Sequence, residues 1–420
     1  MTTRLLGELV ELQRGTTYKS ALLGIPGPVL LGLASIARDG GFRDDSLRTY
    51  GGESPEKLLL TPGDLYVSLK DVTQSGDLLG SVARVPPTVA IGRLTQDTVK
   101  LVLRSGAPRA GFIYWLLRTP EYRAYCRARA IGTTNLSLSR EDFLAFPVPQ
   151  PTATDIRLVD LLDALETKID LNRRTTETME EIARALFKSL FVDFDRADGE
   201  MPDGWSVDTL ASICTAAGGE VQTGPFGSQL HASDYTDNGV PVVMPTNIRD
   251  RRVLADRIAR TSAANVERLD RHRLLRGDLV YSRRGDVEKH AIVGQEEEGW
   301  LCGTGCLRVR PSRAGQRGMS SHYLSLWLDQ PEQRAWISAR AIGATMPNLN
   351  TKILGEVPVV LPDSETLATF DGFMEPLDAR IRALRAESRT LAELRDLLLP
   401  KLLSGELRIR DAECAIEAVA

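Results

Sequence analysis

A heptad seam occurs twice in this chain and constrains its fold more than any other feature. Leu158, Leu162, Leu165, Ile169, Asn172, Thr176, Met179, Ala183, Leu186 and Leu190 follow one another by alternating steps of four and three. That spacing keeps one helix face against a partner. Shifted by 212 positions, the same rhythm reads Phe370, Met374, Leu377, Ile381, Leu384, Ser388, Leu391, Arg395, Leu398 and Leu402. Both seams turn polar at the same point, Thr176 and Ser388. The spacing predicts two long helices, each closing a segment that precedes it. Thr154 or Asp155 is expected to cap the first, Leu190 or Phe191 to end it, and Pro400 to kink or end the second.

The segments before the helices also match. The stretch from Ala130 to Leu138, which opens Ala130-Ile131-Gly132-Thr133-Thr134-Asn135-Leu136, corresponds to Ala341-Ile342-Gly343-Ala344-Thr345-Met346-Pro347-Asn348-Leu349, and the Pro-rich run 146–151 to 357–362, at an offset of 211. Further upstream, Gly63-Asp64-Leu65 pairs with Gly277-Asp278-Leu279 at an offset of 214. So steady an offset implies a tandem duplication. The expected fold is α+β: two tandem mixed α/β domains, each followed by a long helix. The division is 1–151, helix 152–197, 198–363, helix 364–410, and a tail 411–420. Short apolar runs at 28–34, 58–60, 65–69 and 98–103 read as strands between Gly, Pro and Asp. One amphipathic helix is expected over 111–129, with Trp115, Leu116, Tyr122 and Tyr125 on a shared face.

Each seam's best match is the other. If the helices pair antiparallel, their domains lie at opposite ends of a rod, related by a pseudo-two-fold axis. From Leu162 to Leu190 such a rod spans about 42 Å at about 1.5 Å per residue, comparable to the roughly 34 Å between DNA half-sites one turn apart. The coil residues expected to carry it are Leu162, Leu165, Ile169, Met179, Leu186, Leu190, Leu377, Ile381, Leu384, Leu391, Leu398 and Leu402.

Little in the chain suggests chemistry. There is no phosphate loop, no His-Glu-x-x-His and no nucleophile elbow. Glu166-Thr167-Lys168 beside Asp163 has the spacing of some nucleases, but on a coil helix it reads as a flanking ion-paired group. No catalytic residue, metal ligand or cofactor site is expected. Cys302 and Cys306 lack a second pair at zinc spacing and read, with the other cysteines, as buried thiols in a reducing cytoplasm. The chain shows neither the apolar run of a signal peptide nor a membrane span.

The composition, 42% hydrophobic and 26% charged, is that of a folded chain. Its net charge of −4 is no guide to the charge of one face. Residues 249–284 hold eleven Arg against five Asp or Glu, which suits phosphate contact and guanine reading. The candidates for DNA contact in the second half are Gln229, His231, Asn247, Arg249, Arg283 and Arg284. In the first half they are Tyr18, Lys19, Arg38, Arg43 and Lys70.

Several motifs carry a family likeness: Gly224-Pro225-Phe226-Gly227-Ser228-Gln229-Leu230, Gly132-Thr133-Thr134 and Met346-Pro347-Asn348-Leu349. Most specific are the runs from Ala185 to Asp195 and from Leu397 to Glu406. By these the chain resembles the DNA specificity subunit of type I restriction-modification systems. The second copy keeps Pro-Asn-Leu after its Gly-x-Thr, whereas the first reads Asn135-Leu136-Ser137. The resemblance implies two target-recognition domains that each read half of a bipartite double-stranded DNA site. It implies an antiparallel helical spacer that docks two methyltransferase subunits and, in complete systems, a restriction/translocase subunit. Methylation and ATP-driven cleavage would belong to those partners, with S-adenosylmethionine, ATP and magnesium bound there. The chain itself would be no enzyme. A coiled-coil scaffold, or a subunit of a methylation-only system, are the alternatives.

Overall fold

The computed structural model describes residues 3–72, 75–133, 135–194, 199–313, 318–343 and 346–401. It divides into two compact units, residues 1–174 with 384–420, and residues 175–383. The long helices are Ala153–Phe191 and Ser364–Leu398. Each unit therefore combines one globular segment with part of both helices.

In the first unit, Val10–Arg14, Thr98–Leu103, Leu65–Ser68 and Val82–Arg84 form an antiparallel four-stranded sheet in that spatial order. A second sheet places Gly92–Leu94 between Val29–Leu31, which it meets in parallel, and Leu59–Leu60, which it meets antiparallel. The Pro-rich exit becomes an edge strand: Pro147–Pro149 pairs with Thr3–Leu5, a place where a residue without an N–H is tolerated.

The helix expected over 111–129 is two helices, Ala110–Leu116 and Pro120–Ala128. Thr119 caps the second by accepting from the Tyr122 amide, and Pro120 takes its first turn. Proline fits there because the first-turn N–H groups have no partner. Trp115, Leu116 and Tyr122 are nonetheless buried in one core, with Tyr125 packed on it.

The second unit repeats the plan. Glu220–Thr223, Cys306–Arg310, Leu279–Ser282 and His290–Ile292 form its antiparallel sheet in the same order. Val240–Val243 meets Leu301–Cys302 in parallel, Ser206–Thr209 pairs with Pro358–Leu361, and helices Ser321–Leu328 and Pro331–Arg340 follow. The repeat legible in short motifs is thus a repeat of topology.

Thr152, not Thr154 or Asp155, caps the first long helix. Its Oγ1 accepts from the Asp155 amide at 3.2 Å, and Asp155 Oδ2 accepts from the Thr152 amide at 2.7 Å, a reciprocal capping box. Asp363 caps the second helix: its Oδ1 accepts from the Thr366 amide at 2.8 Å and its Oδ2 from Trp205 Nε1 at 3.0 Å. These bonds hold its carboxyl at about 2. The second helix ends at Leu398, two residues before Pro400, and carries Pro376 inside it.

Most seam residues face inward. Leu162 and Leu165 share the first unit's core with Leu391 and Leu398, and Ile169 packs on it. Ile381 and Leu384 are buried, while Met179 is half-buried. In the second unit Leu186, Leu190 and Leu377 only flank the core. Their neighbours Phe187 and Phe191 are the fully buried ones, packed with Tyr323 and Phe370 at ring separations of 4.9–5.9 Å. An aromatic pair one position further round the helix draws the buried face away from the heptad line. Leu402 lies outside the described residues.

Candidate nucleic-acid interface

In the first unit, strand Val10–Arg14 leads into a loop held by a buried cation. Arg93 donates to Thr16 Oγ1 and the Thr17 carbonyl at 3.2 and 3.3 Å, and its guanidinium lies 4.8 Å from the Tyr50 ring centre. Tyr50 in turn packs edge-on to Tyr18 and accepts from the Lys19 amide through its hydroxyl. Tyr18 stays 40% exposed. It lines a cavity of about 730 Å³ with Thr17, Ser35, Arg48, Gln96 and Asp97. Lys70 is tied to that lining through Asp97, its Nζ sitting 3.2 Å from Asp97 Oδ1.

Arg38 and Arg43 belong to a separate turn. Its Asp39 and Gly41 amides bond to the Asp77 and Val82 carbonyls. Arg38 faces Asp77 at 3.8 Å and Arg43 pairs with Asp45 at 2.6 Å. Exposed pairs of this kind are weak enough for a phosphate to replace the carboxylate.

In the second unit the equivalent strand, Glu220–Thr223, leads into Gly224. A Cβ there would lie 2.2 Å from the Gly303 carbonyl oxygen, so only glycine allows this approach. Phe226 follows, 52% exposed. The Arg283 guanidinium lies 5.8 Å from its ring centre and donates to Thr223 Oγ1 at 3.2 Å. Arg283 thus joins the strand end to the aromatic loop. Arg284, next in sequence, is exposed and meets no carboxylate among the described residues.

The other candidates fare unequally. Asn247 is 5% exposed. Its Oδ1 accepts from the Met244 amide at 3.1 Å and its Nδ2 donates to the Leu254 carbonyl at 3.1 Å. Both ends of its amide brace a turn, and its burial keeps it from the surface where a base would be read. Gln229 Oε1 accepts from the Phe226 amide at 3.0 Å and shapes the aromatic loop. His231 is exposed, and its backbone amide donates to Asp234 at 2.8 Å. Arg249 opens a hairpin whose turn residues, Asp250 and Arg251, both have positive φ.

The arginine-rich stretch is less positive than its residue count implies. Arg251, Arg252, Arg268 and Arg273 pair with Asp329, Asp250, Asp234 and Asp270. Two of these carboxylates come from outside residues 249–284, where a local count cannot see them.

Asp163 and Glu166 are ion-paired as expected of a coil helix, though with the globular segment. Asp163 accepts from Arg84 and Trp115 Nε1 at 2.9 and 2.7 Å. Glu166 accepts from Arg84, Arg118 and the Tyr114 hydroxyl at 3.1, 2.5 and 2.9 Å. Lys168 instead meets Glu387, at 3.2 Å. Cys302 and Cys306 are buried, and burial pushes both thiols well above their ordinary range. Sequence reasoning missed Phe226 as a site residue, and also the Arg93–Tyr50 support. Phe226 had a signal, an aromatic between glycines after a strand; Arg93 had none.

No family model matches the chain. It is 24% identical over 355 residues to the HindI type I restriction enzyme specificity subunit of Haemophilus influenzae, covering 70% of this chain and 77% of that one. It is 22% identical over 316 residues to the MjaIX type I restriction enzyme specificity subunit of Methanocaldococcus jannaschii, covering 71% and 69%. Its fold matches the type I restriction-modification S subunit from M. genitalium with a TM-score of 0.58 over 96% of this chain and 95% of that one, at 16% identity. The class is that of duplicated α+β chains with two long helices. Within it, this chain is a relative of type I restriction enzyme specificity subunits.

Proposed function

We propose that this chain is the DNA-reading specificity subunit of a type I restriction-modification complex. The observation that carries the reading is one topology repeated in two units, each attached to parts of two long helices, in a chain whose relatives are specificity subunits. Residues 1–151 and 198–363 act as target-recognition domains, one per half of a bipartite site. Residues 152–197 and 364–410 form an antiparallel coiled coil with pseudo-two-fold symmetry that sets the spacing. Within the first unit, Asn172 and Lys168 both meet Glu387, which supports pairing between the helices. Asn172 is 2% exposed, and a buried seam amide of this kind fixes register.

In this reading the chain is not itself an enzyme. Two methyltransferase subunits dock on the helices, and S-adenosylmethionine, ATP and magnesium are held by partner subunits. A restriction/translocase subunit completes the cleaving form, and the complex works in the cytoplasm. Among the described residues no helix is long and apolar enough to cross a membrane. Tyr18, Lys19, Lys70, Arg283 and Arg284 are the leading contacts, with Arg38, Arg43, Arg249 and His231 as outlying ones.

Co-expression with the methyltransferase subunit of the same operon, followed by single-molecule mapping of modified bases, tests this. Two short half-sites separated by a fixed run of unspecified bases are expected. A complex that forms but methylates nothing would leave the helices as a scaffold alone.

A further inference from the structure

Both domains carry the same short row of side chains, which acquires a function if the chain reads DNA as proposed above. In the first domain Ser137 pairs with Lys70 on one side and with Ile131 on the other. In the second, Asn348 bridges to Arg284 and to Ile342. Residues directly opposite on neighbouring strands point to one face, about 5 Å apart. Ile131, Ser137 and Lys70 therefore stand side by side, as do Ile342, Asn348 and Arg284.

The rows are built alike. Ile131 and Ser137 exchange backbone bonds of 2.9 and 2.9 Å, and Ile342 and Asn348 exchange bonds of 3.0 and 2.8 Å. Ser68 Oγ donates to the Lys70 carbonyl, and Ser282 Oγ to that of Arg284. Gly132 and Gly343 turn the chain at φ of 107° and 106°, where a side chain would be strained.

Each row holds an isoleucine out of the core, 59% exposed at Ile131 and 61% at Ile342. One exposed aliphatic residue is ordinary. The same residue fixed by paired backbone bonds at the same exposure in both domains is not. Cations flank it in both domains, though in the first they are partly neutralised, Lys70 by Asp97 at 3.2 Å and Arg129 by Asp142 at 3.9 Å. Arg129 and Arg340, two residues earlier, lie 3.7 and 4.0 Å from the ring centres of Tyr125 and Trp336. Lys70 and Arg284 close the other end. Arg284 and Arg340 meet no carboxylate among the described residues, and Asn348 Oδ1 is buried there without a hydrogen-bond partner. An apolar protein partner would want a wider apolar patch with few cations at its centre. Val72, two residues after Lys70, and Met346, in the turn between Ile342 and Asn348, are also exposed, but a few aliphatic side chains among cations still suit a polyanion with an apolar groove edge.

We infer that each row is a DNA-contacting device. Lys70 with Arg129, and Arg284 with Arg340, hold phosphates. Ile131 and Ile342 rest on the apolar edge of a groove, at a thymine methyl or a deoxyribose. Ser137 and Asn348 stand at the polar edge between them.

The test uses the full chain with its methyltransferase partner, bound to its mapped duplex over about 50–200 mM salt. Ile131→Ser is expected to weaken binding about tenfold without changing the salt dependence. Ile131→Val should recover most of the loss. Lys70→Ala or Arg129→Ala should flatten the salt slope by about one. Deoxyuridine in place of thymidine in that half-site tells the two apolar edges apart. If the methyl is the contact, it weakens the native complex and not Ile131→Ser; an equal loss in both assigns the isoleucine to sugar. Native binding by both Ile131→Ser and Ile342→Ser would overturn the inference, as would their failure to assemble with the methyltransferase. A native complex with no split site would instead refute the DNA-reading proposal itself.

Discussion

Single side chains decide how the first globular segment grips its long helix. Glu166 takes three donors, and one of them, Arg118, is almost wholly buried. Removing one partner of a buried ion pair leaves an uncompensated charge, at a cost of about 3–5 kcal/mol. Glu166→Ala should therefore lower the unfolding midpoint in denaturant strongly, and Glu166→Gln less, since its amide oxygen still accepts. Equal midpoints for Glu166→Ala and the native chain would contradict the geometry. His290 makes a second residue-scale prediction. It is buried against Tyr281, its Nε2 lies 3.0 Å from the Ser325 carbonyl, and Arg251 and Arg334 add positive charge nearby. Burial lowers its imidazole from 6.5 to about 3, and His272 is lowered to about 4 for the same reason. Below 6.5 the unfolded chain binds protons that the folded chain refuses. Stability is thus fully present above that value and falls on acidification, by at most about 1.4 kcal/mol per pH unit for each histidine. Denaturant curves between pH 7 and 5 should show the fall, and His290→Gln should reduce its slope. An unchanged slope would mean that His290 titrates normally.

At the scale of elements, the long helices were legible because heptad spacing is periodic over many turns. The strand over Thr98–Leu103 was legible because its apolar run is bounded by polar turns. What failed was local and had local causes. Pro120 splits a continuous amphipathic pattern into two helices, and Thr152 caps from outside the residues considered. The aromatic pair Phe187 and Phe191 turns the buried face away from the leucine line. For the candidate interface, charge and turn chemistry pointed to Lys70, Arg283 and Arg284. The ability of an amide to pair with adenine pointed to Asn247, whose amide braces the backbone instead, because no sequence pattern distinguishes a reader's amide from a turn's. Pro376 offers a prediction at this scale. It lacks the amide that would bond to the Gly372 carbonyl four residues earlier, at a cost that can reach about 3 kcal/mol. Pro376→Ala is expected to raise the denaturation midpoint. A fall would show that the packing of Met374 and Leu377 depends on the proline.

For the whole molecule, duplication is the property from which function is argued. Under the proposed function, two domains with one topology need only differ in their loops to read different sequences, and the helices would keep the half-sites apart. Arg283→Ala or Arg284→Ala should then cost roughly 1–3 kcal/mol at one half-site and leave the other intact. A loss equal on every sequence would assign these side chains to phosphate. The most direct measurement exchanges residues 217–362 for the matching segment of a homologue with a different target and maps the methylated bases of the host. The two-headed reading predicts that one half of the split motif changes while the other half and the spacing persist. A motif altered in both halves, or a single continuous motif, would contradict it.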